Sequence, residues 1–151
     1  MRIGLFGYGR MGKAIEQGAL QRGHAVPLKI TSANAGASPV GCDVVIEFSR
    51  PDQALNNIRL CMEARVPIVV GTTGWYDHLN EVQASVRANN GALLWASNFS
   101  IGVNLFFRVN RYLASLMDNQ PGYAVRIDEV HHIHKLDAPS GTAITLAIIS
   151  I

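Results

Sequence analysis

The 151 residues, 48% hydrophobic and 16% charged, suffice for one ordinary domain with a real core and are too apolar for a disordered chain. A formal net charge of +2 is too small for a nucleic-acid or membrane surface, and no run of about 18 apolar residues is present to span a membrane. The N-terminus, MRIGLFGYGRMG, is broken by glycines too early for a secretory signal, and Cys42 and Cys61 stand in no metal or redox spacing, so a cytoplasmic protein with reduced cysteines and no metal site is expected.

Met1 to Phe6 is a short apolar run of the kind that forms a buried parallel strand. It meets Gly7-Tyr8-Gly9-Arg10-Met11-Gly12. Lys13 to Arg22 then has helical spacing, Gly23 reads as a C-cap glycine, and His24 to Ile30 reads as a second strand. Strand, glycine turn, helix and strand form the dinucleotide-binding unit. Its glycines permit a tight turn, a close backbone approach to pyrophosphate and close helix packing. Sites selective for NAD place an acidic residue about 20 positions past the glycines. Lys29-Ile30-Thr31-Ser32 occupies that place without a carboxylate. An ammonium and two hydroxyls could instead meet a 2′-phosphate, so NADPH is the expected cofactor and NADH the alternative. The plain reading of Lys29 is a solvated strand residue. Pro27 predicts a sheet edge or a bulge.

Ala33 to Gly41 is a loop of small residues, and Asp43 to Phe48 the next buried strand. Ser49 is expected to cap a helix with Pro51 in its first turn, carried by Gln53 to Arg65. Its inner stripe is Ala54, Leu55, Ile58, Cys61 and Met62. Pro67 to Val70 is a strand ending in Gly71-Thr72-Thr73-Gly74, whose amides and hydroxyls are candidates for the nicotinamide end of a cofactor, because α/β sheets bind ligands at their carboxyl edge. A polar helix lies within Trp75 to Asn90, followed by a strand from Ala92 to Ala96 and by Ser97-Asn98-Phe99. Asn98 could bond a carboxamide or simply form a turn. Leu105 to Met117 reads as a helix with a core stripe of Leu105, Phe106, Val109, Leu113 and Leu116.

Tyr123 to His132 alternates as a strand would, with Glu129 and His131 on one side and His132 on the other. The stretch Glu129 to Ala143, EVHHIHKLDAPSGTA, crowds three imidazoles, Lys135 and two carboxylates into a short span that runs into a small-residue turn. Ser140 reads as the N-cap of a final helix, and the free amides of Gly141 and Thr142 form an anion site. A carboxylate socket beside titratable imidazoles suits proton transfer to an anionic substrate. Solvated histidines on a strand end beside an ordinary turn are the plain alternative.

Glu-x-His-His-x-x-Lys-x-Asp-Ala-Pro-Ser-Gly-Thr-Ala resembles the signature of the 4-hydroxy-tetrahydrodipicolinate reductase (dihydrodipicolinate reductase) family of lysine and diaminopimelate biosynthesis. Arg10-Met11-Gly12, Gly71 to Gly74 and Ala96-x-Asn98-Phe99-Ser100-x-Gly102-Val103-Asn104 resemble its further motifs. The resemblance implies an α/β fold, with a Rossmann-type parallel-sheet nucleotide-binding domain over residues 1–100. The start of an α+β substrate and tetramerisation domain would follow over 101–151. It implies cofactor contacts from Gly7 to Gly12, from Gly71, Thr72 and Thr73, and from Ala96, Ser97, Asn98 and Phe99. His131 would be the proton donor, assisted by Lys135, with His132, Lys135, Ser140, Gly141 and Thr142 meeting a cyclic dicarboxylate. The reaction would be NAD(P)H-dependent reduction of that substrate. Full-length members are expected to be homotetramers, which stays in doubt for this chain. The apolar end, Ile144 to Ile151, leads us to expect a shortened chain, and the competing readings are a nucleotide-binding module without turnover and an unrelated two-domain dehydrogenase.

Overall fold

The computed structural model describes residues 1–131, 133 and 138–149, in two compact units, Met1–Ala96 and Ser97–Ile151. The first unit runs β1 (Arg2–Phe6), α1 (Arg10–Gln21), β2 (Ala25–Ile30), β3 (Val44–Glu47), α2 (Pro51–Glu63), β4 (Ile68–Val70), α3 (Leu79–Ala88) and β5 (Leu93–Trp95). All neighbouring strands pair in parallel, in the order β2-β1-β3-β4-β5. Strand order reverses between β1 and β3, and such a switch point opens a crevice at the carboxyl edge.

Alternation along each strand divides the core between the sheet's two faces. Ile3 and Leu5 pack with Ala19 of α1. Phe6, Val45, Ile68 and Val70 pack with Ala54, Ile58, Cys61 and Met62 of α2 and Val82 of α3. Each large aliphatic side chain so buried contributes roughly 1.5–3 kcal/mol. The predicted α2 stripe is therefore the core stripe, with Leu55 at its partly buried margin.

Two sequence signals find their physical cause here. β2 is an edge strand, and the β1–β2 register slips by one residue between Ala25 and Leu28, so Pro27 occupies both an edge and an irregularity. Gly23 adopts φ +73° and closes α1, its N–H donating to Leu20 O at 3.0 Å while His24 N–H donates to Ala19 O at 3.0 Å.

Two helix starts differ from expectation. α1 begins at Arg10, inside the glycine turn, rather than at Lys13. α2 is preceded by Arg50 and not capped by Ser49. The Ser49 hydroxyl turns instead to the Glu47 carboxylate, a stronger acceptor than the loose amides of a helix start are donors.

The second unit contains α4 (Ile101–Met117) and α5 (Gly141–Ile149), which pack together, with Asn110 Nδ2 donating to Leu146 O at 3.2 Å. α4 starts at Ile101, four residues before the expected Leu105, because Ser100 caps it through Val103 N–H. Its expected core stripe is exposed at Leu105, Phe106, Val109, Leu113 and Leu116, and Phe107 is the buried residue of this helix. Among the described residues α5 covers only a narrow strip of α4, too little for a helix that is apolar over so wide an arc. The expected strand Tyr123 to His132 is also not formed over residues 123–131. A strand needs a ladder partner for its backbone, and none of the described residues supplies one.

Candidate functional site

Three glycines of the first turn answer to different constraints. Gly7 has φ +91°, and a Cβ there would lie 2.1 Å from Phe48 O. A Cβ on Gly12 would lie 2.3 Å from Gly7 O. The fold itself therefore requires both glycines. A Cβ on Gly9 would meet nothing within 4 Å, so the protein's own packing does not require a glycine there. The first bond of α1 runs from Lys13 N–H to Gly9 O at 3.1 Å. The N–H groups of Arg10, Met11 and Gly12 precede it and, with the helix dipole, suit a pyrophosphate. These features fit a dinucleotide. A cavity of about 590 Å³ opens beside the turn, between Gly9, Thr31, Ser32, Ser49 and Arg50.

Lys29 is engaged rather than simply solvated. Its Nζ lies 2.5 Å from Glu16 Oε1 and 5.1 Å from the centroid of the Tyr8 ring. The Tyr8 hydroxyl also donates to Glu16. The bond from Lys29 and then that from Tyr8 hold the Glu16 carboxyl below its ordinary range, and Glu16 raises Lys29 in return. The same carboxylate raises the Tyr8 hydroxyl.

The Gly71-Thr72-Thr73 turn is packed inward. A Cβ on Gly71 would lie 2.1 Å from ring carbons of Phe48. Thr72 is buried; its Oγ1 accepts from Ser49 N–H at 2.9 Å and its carbonyl from Trp75 Nε1 at 2.8 Å. Thr73 is half-buried. Ala96 closes this unit, its N–H donating to Val70 O at 3.3 Å.

In the second unit, Ser97 Oγ lies 3.3 Å from Thr145 Oγ1. Asn98 serves the turn: its Oδ1 accepts from Ser100 N–H at 2.8 Å and its carbonyl from Asn104 Nδ2 at 3.0 Å. Phe99 is exposed beside a cavity of about 540 Å³ bordered by Leu105, Arg108, Arg111 and Thr145.

His131 is held by a carboxylate. Its Nε2 lies 2.8 Å from Glu129 Oε2, while Glu129 Oε1 accepts from Ser140 N–H at 2.9 Å. Bonds from the Ser140 hydroxyl and N–H, then from His131, hold the Glu129 carboxyl down at about 2. Ser140 Oγ also accepts from Ala143 N–H at 3.0 Å, confirming the N-cap. The amides of Gly141 and Thr142 have no partner among the described residues. His132 and Lys135 lie outside the described residues.

Glu129, Glu16, Glu47 and Asn57 were not expected as site residues. Glu129 was legible: two residues from His131 in an extended chain, it shares a side with it. The others depend on where the helices pack: Glu16 meets Lys29 from α1, and Asn57 meets Glu47 and Ser49 from α2. Among the described residues no cluster of His, Cys, Asp and Glu could hold a metal, and no helix is long and apolar enough to cross a membrane.

A parallel sheet with a glycine turn opening a helix at its carboxyl edge defines a Rossmann-type dinucleotide-binding α/β protein. Two family models place it more closely. "Dihydrodipicolinate reductase, N-terminus" matches residues 23–99, and "Dihydrodipicolinate reductase, C-terminus" matches residues 102–150. The chain belongs to the dihydrodipicolinate reductase family, whose members use a nicotinamide cofactor. It is 44% identical over 149 residues to 4-hydroxy-tetrahydrodipicolinate reductase of Christiangramia forsetii, covering 97% of this chain and 62% of that protein. Identity to the reductase of Neisseria meningitidis serogroup C is 38% over 130 residues, covering 84% of this chain and 47% of that protein. The dipicolinate-bound dihydrodipicolinate reductase from Paenisporosarcina sp. TG-14 superposes with a TM-score of 0.71 at 25% identity, over 99% of this chain and 65% of that one. The chain thus spans about half to two thirds of the length of these relatives.

Proposed function

We propose that this chain carries the cofactor site and part of the substrate site of a 4-hydroxy-tetrahydrodipicolinate reductase of lysine and diaminopimelate biosynthesis, acting in the cytoplasm with NADPH in preference to NADH. The observation that carries the reading is the Glu129–His131 pair set against the capped, anion-ready N-terminus of α5. The nicotinamide would supply the hydride, which is the cofactor's own chemistry. The amides of Arg10 to Gly12 bind the pyrophosphate. Lys29, Thr31 and Ser32 take the 2′-phosphate, and Gly71 to Thr73 and Ala96 to Phe99 border the nicotinamide. Ser140 and the amides of Gly141 and Thr142 receive a substrate carboxylate. Glu129 orients the His131 imidazole, and His131 delivers a proton to the reduced ring. Lys135 assists that protonation and, with His132, binds the second carboxylate. Full-length members of the family would assemble as homotetramers.

The test is substrate-dependent NADPH oxidation together with NADPH affinity. His131→Gln should lower turnover about 100-fold, the usual contribution of a positioned proton donor, and leave NADPH affinity unchanged. Undiminished turnover in this variant would remove His131 from its role. The exposed face of α4 and the unpaired segment 123–131 favour a second reading, NADPH binding without turnover by these residues alone. Binding with no oxidation in the unaltered chain would select it.

A further inference from the structure

Glu47 ends β3, is fully buried, and faces no cation among the described residues. Its Oε1 accepts from Ser49 N–H at 3.0 Å, from the Ser49 hydroxyl, and from Asn57 Nδ2 at 3.3 Å. Oε2 has no hydrogen-bond partner among the described residues. Burying a carboxylate this way is costly, and a neutral or apolar residue would fill the site at less expense.

The consequence falls on Ser49, which lines the cavity beside the glycine turn. A serine hydroxyl has one proton and two lone pairs. Here the proton goes to Glu47, since the other acceptor in reach, Arg50 O, stands at 3.5 Å. One lone pair receives Asn57 Nδ2 at 3.1 Å. The Ser49 N–H is also spent, shared between Glu47 Oε1 and Thr72 Oγ1. What remains for a ligand at this corner is a single acceptor lone pair, enriched by the carboxylate behind it.

We infer that Glu47 is a positioning residue that fixes the Ser49 hydroxyl as a hydrogen-bond acceptor toward the cavity, selecting a hydroxyl donor such as a ribose of the dinucleotide and rejecting phosphate oxygen at that corner. Phosphate, which only accepts, is left to the amides of Arg10 to Gly12. Through Thr72 the same network ties the β3 turn to the β4 turn. This rests on the dinucleotide reading above.

The test is a double-mutant cycle on the full chain, reading NADPH affinity from the change in its fluorescence and folding from thermal melting. Glu47→Gln and Ser49→Ala should each weaken NADPH about fivefold, the worth of one neutral hydrogen bond. The double variant should be no weaker than Ser49→Ala alone, and Ser49→Thr, which keeps the hydroxyl, should bind within about twofold of the unaltered protein. Unchanged affinity in Glu47→Gln, or losses that multiply in the double variant, overturns the inference. If Glu47→Gln does not fold, the Ser49 pair decides: a loss in Ser49→Ala restored by Ser49→Thr supports the role, and unchanged binding in Ser49→Ala refutes it. No NADPH binding by the unaltered chain would overturn the dinucleotide reading, and the inference would fall with it.

Discussion

Gly9→Ala and Gly12→Ala differ by one methyl at positions three residues apart, and the structure assigns them opposite phenotypes. A Cβ on Gly12 would stand 2.3 Å from the Gly7 carbonyl oxygen, about 1 Å inside ordinary van der Waals contact. That atom is backbone and cannot rotate away. Overpacking of this kind costs about 1–3 kcal/mol, which in a unit of this size lowers the melting temperature by roughly 4–8 °C per kcal/mol. A Cβ on Gly9 meets nothing within 4 Å, and its φ of −85° is open to any residue. The cost there is that of replacing glycine by alanine at a helix N-cap, below about 1 kcal/mol. The methyl would instead project where pyrophosphate approaches the backbone, lowering NADPH affinity at least about tenfold through loss of that approach. Thermal melting and NADPH titration of the two variants form the assay. Native-like NADPH affinity in a folded Gly9→Ala would refute the placement of the cofactor over this turn.

Glu129 is held at about 2 in the folded chain, below the usual carboxylate value near 4.3. The stability from its ionisation is therefore complete above about pH 4.5 and is lost as pH falls toward 2. Glu129→Gln should flatten the acid-unfolding profile over that window, and an unaltered profile would refute the Ser140 and His131 bonds. Burial pushes the Cys61 thiol up to about 12, so iodoacetamide at pH 8 should modify Cys42 first and Cys61 only on unfolding, as read by mass spectrometry. Glu16→Gln frees Lys29 from its partner. Because the pair is partly exposed, the gain in NADPH over NADH should be modest, at most about fivefold, and no change in the ratio of dissociation constants would remove Lys29 from the 2′-phosphate.

The sequence alone determined most of the first unit. Strands of Val, Ile and Leu alternating with amphipathic helices fix a parallel sheet, because both faces must be covered. The spacing of Gly7, Gly9 and Gly12 after a strand specifies the turn, and Pro27 announces the edge strand. These signals are local, carried by neighbouring residues or one helical period. Tertiary structure decided what depends on residues far apart in the chain. Lys29 could be seen in sequence but not its engagement by Glu16, since α1 must first lie beside β2. Ser49 reads as a helix cap until a buried Glu47 stands beneath it. Alternation from Tyr123 to His131 is a statement about faces, and a strand exists only when a neighbour completes its ladder. The α4 stripe marks a surface suited to burial without naming what buries it. Periodicity encodes which side of an element is apolar; partners are supplied by the fold, and there the electrostatics of Glu47, Glu16 and Glu129 were settled.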